Sequence, residues 1–218
     1  MKTIEKNAFI SLTREQFITE LLKLPFLKDY KSSVPATDDE LDEEEFQIYI
    51  GDIESDEVLR FNACNLLVVG NIKAKWMDAQ YKDDGDEGGS LFVMGAVTCD
   101  YFSTYYSKII AIAGDLKAHR ILNNAFEDSA LIVKGDLTTE YFYGVDVWAD
   151  VEGTAYMEYG NGYCLPMGWP ETSRETFEPE HSESQSRAFL GLAEEEYLPE
   201  TINQIIEILK EKKKLRIY

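Results

Sequence analysis

Apolar and polar residues alternate along short segments in the middle of the chain, and a glycine lies at the centre of each segment. The apolar residues two positions before the glycine are Val68, Val93, Ile112 and Val133. Those four positions before it are Leu66, Leu91, Ile110 and Leu131. The residues two positions after the glycine are Ile53, Ile72, Val97, Leu116, Leu137 and Ala155. Those four positions after it are Ala74, Cys99, Ala118, Thr139 and Met157. Because side chains on a strand alternate with period two, each segment predicts two strands that turn one face inward.

This pattern recurs with a nearly constant period. The central glycines are Gly51, Gly70, Gly95, Gly114, Gly135 and Gly153, so the steps between them are 19, 25, 19, 21 and 18 residues. A further apolar group lies seven positions after the glycine and predicts a third inward side: Val58, Met77, Phe102, Ile121 and Phe142. A period near twenty residues is typical of a solenoid.

The repeats predict a mainly β chain, folded as a single-stranded parallel β-helix (solenoid) of about six coils. One coil cannot bury its inner residues alone, whereas coils stacked about 4.8 Å apart share one core and satisfy each other's backbone groups. Glycine suits the bend between two strands because it adopts positive φ readily and lets neighbouring coils approach closely. The alternative is a β-meander or sandwich with recurrent hairpin turns, which also gives short, evenly spaced strands.

The flanking sequences predict one capping α-helix at each end of the solenoid, where unpaired edges need cover. Thr13 and Gln16 form a capping box, and the apolar residues that follow predict an amphipathic helix ending near Pro25. Pro199 suits the first turn of a second helix. Apolar residues repeat there at helical spacing before a lysine-rich end: Ile202, Ile205, Ile206 and Leu209.

The chain is therefore predicted to be a single domain, 1–218. It comprises an N-terminal helical cap with an acidic segment (1–45), the β-solenoid (46–168), a polar connector rich in Glu and Ser (169–198) and the C-terminal helix (199–218).

Charge is the second strong feature, since 41 acidic and 21 basic residues give a formal net charge of −20. Such a field repels nucleic acid and anionic membrane surfaces. There is no apolar run long enough to span a membrane, and the N-terminal sequence lacks the apolar core of a signal peptide. Cys64, Cys99 and Cys164 lack paired spacing, so a reduced cytoplasmic compartment is expected.

Two acidic segments are predicted to bind a basic protein partner. The first comprises Asp38, Asp39, Glu40, Asp42, Glu43, Glu44 and Glu45. The second comprises Asp83, Asp84, Asp86 and Glu87, in the insertion that accounts for the step of 25 residues. Acidic surfaces attract basic partners, although surface carboxylates also serve solubility alone.

Aromatic residues cluster in and after the coils and supply possible anchors for that partner: Tyr81, Tyr101, Tyr105, Tyr106, Tyr141, Tyr143 and Trp148. Tyr105 and Tyr106 are the predicted partner-binding anchors, because tyrosine is enriched at protein interfaces. The alternative for any one tyrosine is a stack between neighbouring coils.

Signals for enzymatic chemistry are few. His119 and His181, the two histidines of the chain, belong to no nucleophile, phosphate-loop or paired-histidine motif. The spacing of the acidic insertion does not match a calcium-binding EF-hand loop. A polysaccharide-cleaving solenoid with grouped carboxylates would rest on fold analogy alone. We therefore predict no catalytic residue, no metal site and no cofactor.

The phrases VVGNIKAK, IAGDLKAH and VKGDLTTE resemble the coils of bacterial polymer-forming cytoskeletal proteins of the bactofilin type, which are parallel β-solenoids. The chain is also similar to bacterial solenoid proteins that end in a connector, a PE-containing helix and a lysine-rich terminus. The resemblance covers roughly residues 46–160 and implies the solenoid fold. Longer coils, the insertion and the terminal helices depart from a polymer former and argue against end-to-end assembly.

Two functions of different classes fit these features. The preferred one is a bacterial immunity protein, monomeric or weakly self-associating, that binds a basic toxin domain such as a nuclease and occludes it. The alternative is a cytoskeletal or scaffold solenoid that self-associates through its coils. A nucleic-acid mimic, with carboxylates at phosphate-like spacing, is a weaker alternative.

Overall fold

The computed structural model describes residues 2–23, 45–61, 63–79, 89–103, 108–162, 187–188, 190–198, 204 and 208. Over these residues the chain is mainly β, and its strands stack in parallel as a β-solenoid. The predicted fold class is confirmed at this level. The meander or sandwich is wrong, because strands from successive coils pair in parallel instead of forming antiparallel hairpins.

Two ladders of parallel strands form two sides of the solenoid. The strands before the central glycines are β3 (Phe46–Ile50), β5 (Asn65–Val69), β7 (Gly89–Val93) and β9 (Lys108–Ile112). The strands after them are β4 (Ile53–Phe61), β6 (Ile72–Asp78), β8 (Val97–Ser103) and β12 (Ala155–Gly162). Two longer strands, β10 (Leu116–Val133) and β11 (Leu137–Val151), run from one ladder into the other.

The predicted inward positions form the main hydrophobic core. Residues two and four before the glycines are buried in one cluster with residues two and four after them, as shown by Leu66, Val68, Ile72 and Ala74. Small residues occupy the position four after the glycine in four coils: Ala74, Cys99, Ala118 and Thr139. The alternation of the sequence therefore locates the core correctly on these two sides.

The third inward side differs from the prediction in burial in one coil and in register in a second. Leu59 is fully buried and Val58 is half-buried, although Val58 was the predicted inward residue. In the coil after Gly114, Leu122 takes the register position predicted for Ile121. Each of these coils contains a register shift that adds one residue. One extra residue moves all later side chains to the opposite face, so a fixed count from the glycine fails there.

The central positions require glycine mainly because neighbouring coils stack too closely there for a Cβ atom, and less because of a positive φ. A Cβ atom on Gly70 would lie 2.2 Å from the carbonyl oxygen of Gly51. The amide of Gly95 donates to the carbonyl of Gly70 at 3.0 Å, and Gly114 donates to Gly95 in the same way. Of the six, Gly51 alone has a positive φ, 129°. The five glycines from Gly70 to Gly153 thus form a hydrogen-bonded column at the corner between the two ladders, and the amide of Gly51 donates to the carbonyl of Val69.

Acidic and amide side chains bridge successive coils beside this column. Asp52 Oδ1 accepts from the backbone amide of Asn71 at 2.7 Å, and Asn71 Oδ1 accepts from the amide of Ala96 at 2.9 Å. Asp115 and Asp136 repeat the arrangement in later coils, each accepting from the next coil at 2.9 Å. The recurrent Gly-Asp and Gly-Asn pairs of the sequence are therefore corner residues that satisfy backbone donors.

The N-terminal strands cover the first coil. β1 (Lys2–Ile4) pairs in parallel with β4, a 3₁₀ turn spans Lys6–Ala8, and β2 (Ile10–Leu12) pairs antiparallel with β3. Ile4 and Phe9 are buried in the main core cluster. This short segment therefore covers the end of the core, and the edge strands β3 and β4 gain partners there.

The predicted N-terminal helix exists but packs elsewhere than expected. α1 (Arg14–Leu21) begins with the predicted capping box between Thr13 and Gln16. The Phe17 ring lies 5.3 Å from the ring of Phe46 and 6.0 Å from that of Phe92, between ring centroids. Phe92 belongs to a second apolar cluster, which faces away from the main core. The helix therefore covers the outer face of the β3–β5–β7 ladder, whereas the prediction placed it over the end.

Most of the predicted C-terminal helix lies outside the described residues. Gln204 and Ile208 are both helical, and between them and the solenoid the structure describes residues 187–188 and 190–198. The C-terminal cap and the number of coils remain predictions.

Gln47 on β3 is the exception among the core positions four before each glycine. It is 4% exposed, and within the described part of the chain its Oε1 atom accepts no hydrogen bond. An unsatisfied buried polar atom costs about 1–3 kcal/mol. We therefore expect Gln47→Leu to raise the free energy of unfolding by about 1–2 kcal/mol, measured by urea denaturation. Gln47→Glu, which buries a charge in the same place, should lower it. A less stable Gln47→Leu would contradict this account.

Candidate functional site

Most of the predicted partner-binding residues lie outside the described part of the chain. They are Asp38, Asp39, Glu40, Asp42, Glu43, Glu44, Asp83, Asp84, Asp86, Glu87, Tyr105 and Tyr106. Glu45 is described, and it is exposed immediately before β3. Its backbone carbonyl accepts from the backbone amide of Asn65 at 3.3 Å and from Asn65 Nδ2 at 3.4 Å. Glu45 is thereby fixed to the next coil.

The predicted partner-binding residues fall into three segments, which are the two acidic segments and the Tyr105–Tyr106 pair. The strands that follow these segments begin at one edge of the solenoid. The first acidic segment leads through Glu45 into β3, the second precedes β7, and the two tyrosines precede β9. Register aligns Phe46 with Asn65, Asn65 with Ser90, and Gly89 with Lys108. At about 4.8 Å per strand, the starts of β3 and β7 lie about 10 Å apart, and β9 begins one strand further on. We call the starts of β3, β5, β7 and β9 the entry edge.

Buried polar contacts hold the entry edge in place. Ser90 Oγ donates to Asn65 Oδ1 at 2.8 Å, and both side chains are buried. The Ser90 amide donates to the Cys64 carbonyl at 3.1 Å. Gly89 has a φ of 139°, and a Cβ atom there would lie 2.6 Å from the same carbonyl oxygen. The solenoid therefore presents the chain at fixed positions where each predicted segment enters a strand.

A groove of about 300 Å³ lies on the outer face of the second ladder. Its floor contains Ser55, Ala74 and Cys99, and charged or polar side chains form its two walls: Glu54, Lys73 and Thr98 on one, and Asp56, Lys75, Asp100 and His119 on the other. The wall residues lie three and five positions after the glycines, so they point away from the core. The sequence contained this signal in its outward positions, but the prediction did not use it.

The walls of the groove continue along the solenoid as rungs of two outward side chains, one rung from each coil, and no rung combines an acidic with a basic residue. Lys75 forms an ion pair with Asp100 of the next coil, and Lys2 Nζ donates to the Glu54 carbonyl at 2.7 Å. Register places Lys117 beside Thr98, and Thr138 beside Lys117. We call this surface the charged strip. Its rungs are Glu54 with Asp56, Lys73 with Lys75, Thr98 with Asp100, Lys117 with His119, and Thr138 with Glu140.

A polar network ties three coils together near the end of β6. Arg60 Nε donates to Asp78 Oδ2 at 2.6 Å, and Ser103 Oγ donates to Asp78 Oδ1 at 3.2 Å. Trp76 Nε1 donates to Ser103 Oγ at 3.1 Å. Asp78 is 5% exposed, so its carboxylate needs these donors. The network is a structural brace between successive coils.

The chemistry available in the groove is that of charged side chains. Burial raises the pKa of the Cys99 thiol far above its usual range, because the thiolate would lie in the apolar core. Cys99 therefore stays a protonated thiol, a poor nucleophile. Among the residues that the structure describes, no group of three or more His, Cys, Asp or Glu side chains could hold a metal ion.

Two of the tyrosines considered as anchors are core residues. Tyr101 and Tyr141 are buried, and Tyr101 packs edge-on against Trp76 with ring centroids 6.3 Å apart. For Tyr101 the alternative of stacking between coils is correct, because Trp76 belongs to the neighbouring coil. Tyr81 is outside the described residues, as are the side chains of Tyr143 and Trp148.

No helix in the described ranges is long and apolar enough to cross a bilayer. Comparison of the chain with protein-family models, with curated proteins and with solved structures found no match.

Proposed function

We propose that this chain is a non-enzymatic protein-binding module, and specifically a cytoplasmic immunity protein that neutralises a basic toxin domain, such as a nuclease, by occlusion. The observation that supports it best is the entry edge. Three segments predicted to bind a partner, far apart in sequence, lead into strands that begin side by side. A single partner can therefore contact all three.

The charge of these segments favours a basic partner. Residues 38–45 contain seven acidic side chains and residues 83–87 contain four, with no lysine or arginine in either. These eleven carboxylates correspond to more than half of the net charge of −20. Opposite fields on two proteins raise the association rate and align the encounter. Occlusion of the toxin by this surface needs no catalytic group.

The fold suits such a role because it separates recognition from stability. Hydrogen-bonded strands and the glycine column fix the frame, and the binding segments are connections between strands. Binding residues are often placed on loops that a rigid scaffold positions. In this proposal about six coils, with a helix at each end of the sequence, provide that scaffold.

A tagged pull-down from the cells that make the protein tests the proposal, with light scattering on the purified chain alongside. We expect recovery of a basic protein at low salt and partial loss of it as salt is raised. The captured protein should be toxic when it is expressed without this chain. Recovery of no basic protein at any salt concentration would contradict the immunity function.

Self-association as a scaffold is the second candidate, supported by β12, the last strand in the described residues. In the described part of the chain β12 pairs with β11 alone, so its other edge has no strand partner there. Exposed parallel edges can add further strands. Large, concentration-dependent assemblies in light scattering, without a captured basic protein, would favour this candidate.

A further inference from the structure

We propose that the charged strip is an interface for a second copy of this chain, bound through a two-fold axis. The inference is independent of the entry edge and the toxin partner. It begins from the order of charges along the strip. The first rung is negative (Glu54, Asp56), the second positive (Lys73, Lys75) and the third negative (Asp100). The fourth carries Lys117 with His119, and the fifth carries Glu140.

The charges alternate from rung to rung, so two copies that face each other with the coils in opposite order can pair unlike charges. This pairing requires that the two-fold axis relating the copies pass between two rungs. A two-fold axis parallel to the strands, between the second and third rungs, reverses the order of the coils and keeps the direction of the strands. The first rung then faces the fourth rung of the other copy, and the second faces the third. In this arrangement Glu54 faces Lys117, Asp56 faces His119, and Lys75 faces Asp100.

Other simple alignments are unfavourable. A two-fold axis along the stack would place each rung opposite the same rung of the other copy, so that like charges meet. The reversed alignment places the acidic first rung opposite the fourth, which carries Lys117, and the basic second rung opposite the third, which carries Asp100. The lateral spacing also matches, because both copies repeat at about 4.8 Å per strand. A second copy is therefore a partner that fits this strip in both charge order and period.

The net charge of −20 opposes this contact at long range. Near 0.15 M salt the screening length is about 8 Å, which weakens repulsion between the bodies of the two copies more than attraction between side chains in contact. At about 0.01 M salt the screening length is about 30 Å and repulsion dominates. At about 1 M salt the facing pairs are also screened. Association should therefore be strongest at intermediate salt.

Analytical ultracentrifugation of the full chain and of two single variants tests the interface. Lys75→Glu and Asp100→Lys each place like charges opposite one another across the axis. We expect each variant to weaken self-association at 0.15 M salt by about tenfold. An equimolar mixture should recover it, because the new carboxylate at position 75 of one copy faces the new ammonium at position 100 of the other. Recovery on mixing requires the reversed pairing and does not follow from a loss of stability.

Lys134→Glu is the matched control. It breaks the Lys134–Glu152 ion pair, which is exposed to a similar degree as Lys75–Asp100 but lies away from the strip. Its self-association should equal that of the wild type. A wild-type chain that stays monomeric at all three salt concentrations would overturn the interface, and so would a mixture that associates no better than either variant. Capture of a basic partner by the same variants should be unchanged, so failure here is distinct from failure of the immunity function.

Discussion

Gly70→Ala is expected to lower the free energy of unfolding by about 3 kcal/mol or more. The added methyl group would lie 2.2 Å from the carbonyl oxygen of Gly51 and 2.5 Å from its carbonyl carbon. Both are backbone atoms of the neighbouring coil, so a side chain cannot move aside to make room. Relief requires the coils to separate, which weakens the parallel hydrogen bonds on both sides of the corner.

Gly51→Ala is the informative comparison for this prediction. Around Gly51 the nearest atom to an added Cβ is 3.8 Å away, so the methyl group meets no clash. Its φ of 129° is strained for alanine, and such strain costs about 1–3 kcal/mol. Urea denaturation of both variants should therefore rank Gly70→Ala as the more damaging. Equal stability of Gly70→Ala and the wild type would show that the coils do not stack as closely as described.

Neutralising the two acidic segments together is expected to reduce the association rate constant for the basic partner by about tenfold or more at low salt. The change replaces the carboxylates of residues 38–45 and 83–87 by Asn and Gln, so shape and polarity are kept. The reason is loss of electrostatic steering, which acts mainly on association. Stopped-flow or surface-based kinetics on the partner recovered by pull-down measure it.

Two comparisons make the result specific to the entry edge. Glu171, Glu175, Glu178 and Glu180 can be changed to Gln as a control that removes as many charges as the 83–87 variant. This control should lower the association rate constant less than the 83–87 variant does. Each acidic segment should also be neutralised alone, because segments that contact one partner at one edge give non-additive effects. A control variant that slows association as much as the 83–87 variant would argue for a diffuse field.

The sequence predicts the repeating frame well because burial depends on the period of the side chains. The inward positions around each glycine could be counted directly, and the structure buries them as expected. The count from the glycine failed at Leu59, and it is out of register by one residue at Leu122, because one extra residue enters each of these coils. A single inserted residue leaves no mark in composition and shows itself only when neighbouring coils are aligned.

Tertiary contacts could not be predicted as well as the frame. The capping box identified α1, but its packing on Phe46 and Phe92 depends on an apolar row that faces outward from the ladder. The residues of that outward row lie on the same strands as the core residues, and the sequence does not indicate which face of the strands a helix covers. Similarly, each acidic segment was visible alone. That the strands after these segments begin at one edge follows only from the register that aligns β3, β5, β7 and β9.

The spacing of the central glycines also bears on how such a protein can change in evolution. The step from Gly70 to Gly95 is 25 residues, against 18 to 21 elsewhere, yet β5 and β7 pair in the same way as the other neighbours. The number of residues inserted between Ala79 and Gly89 is thus uncoupled from the geometry of the coils on either side. Inserts at this edge can be lengthened, shortened or exchanged while the frame stays constant. If this edge binds a partner as proposed, both natural divergence and engineering can change that partner without redesigning the core.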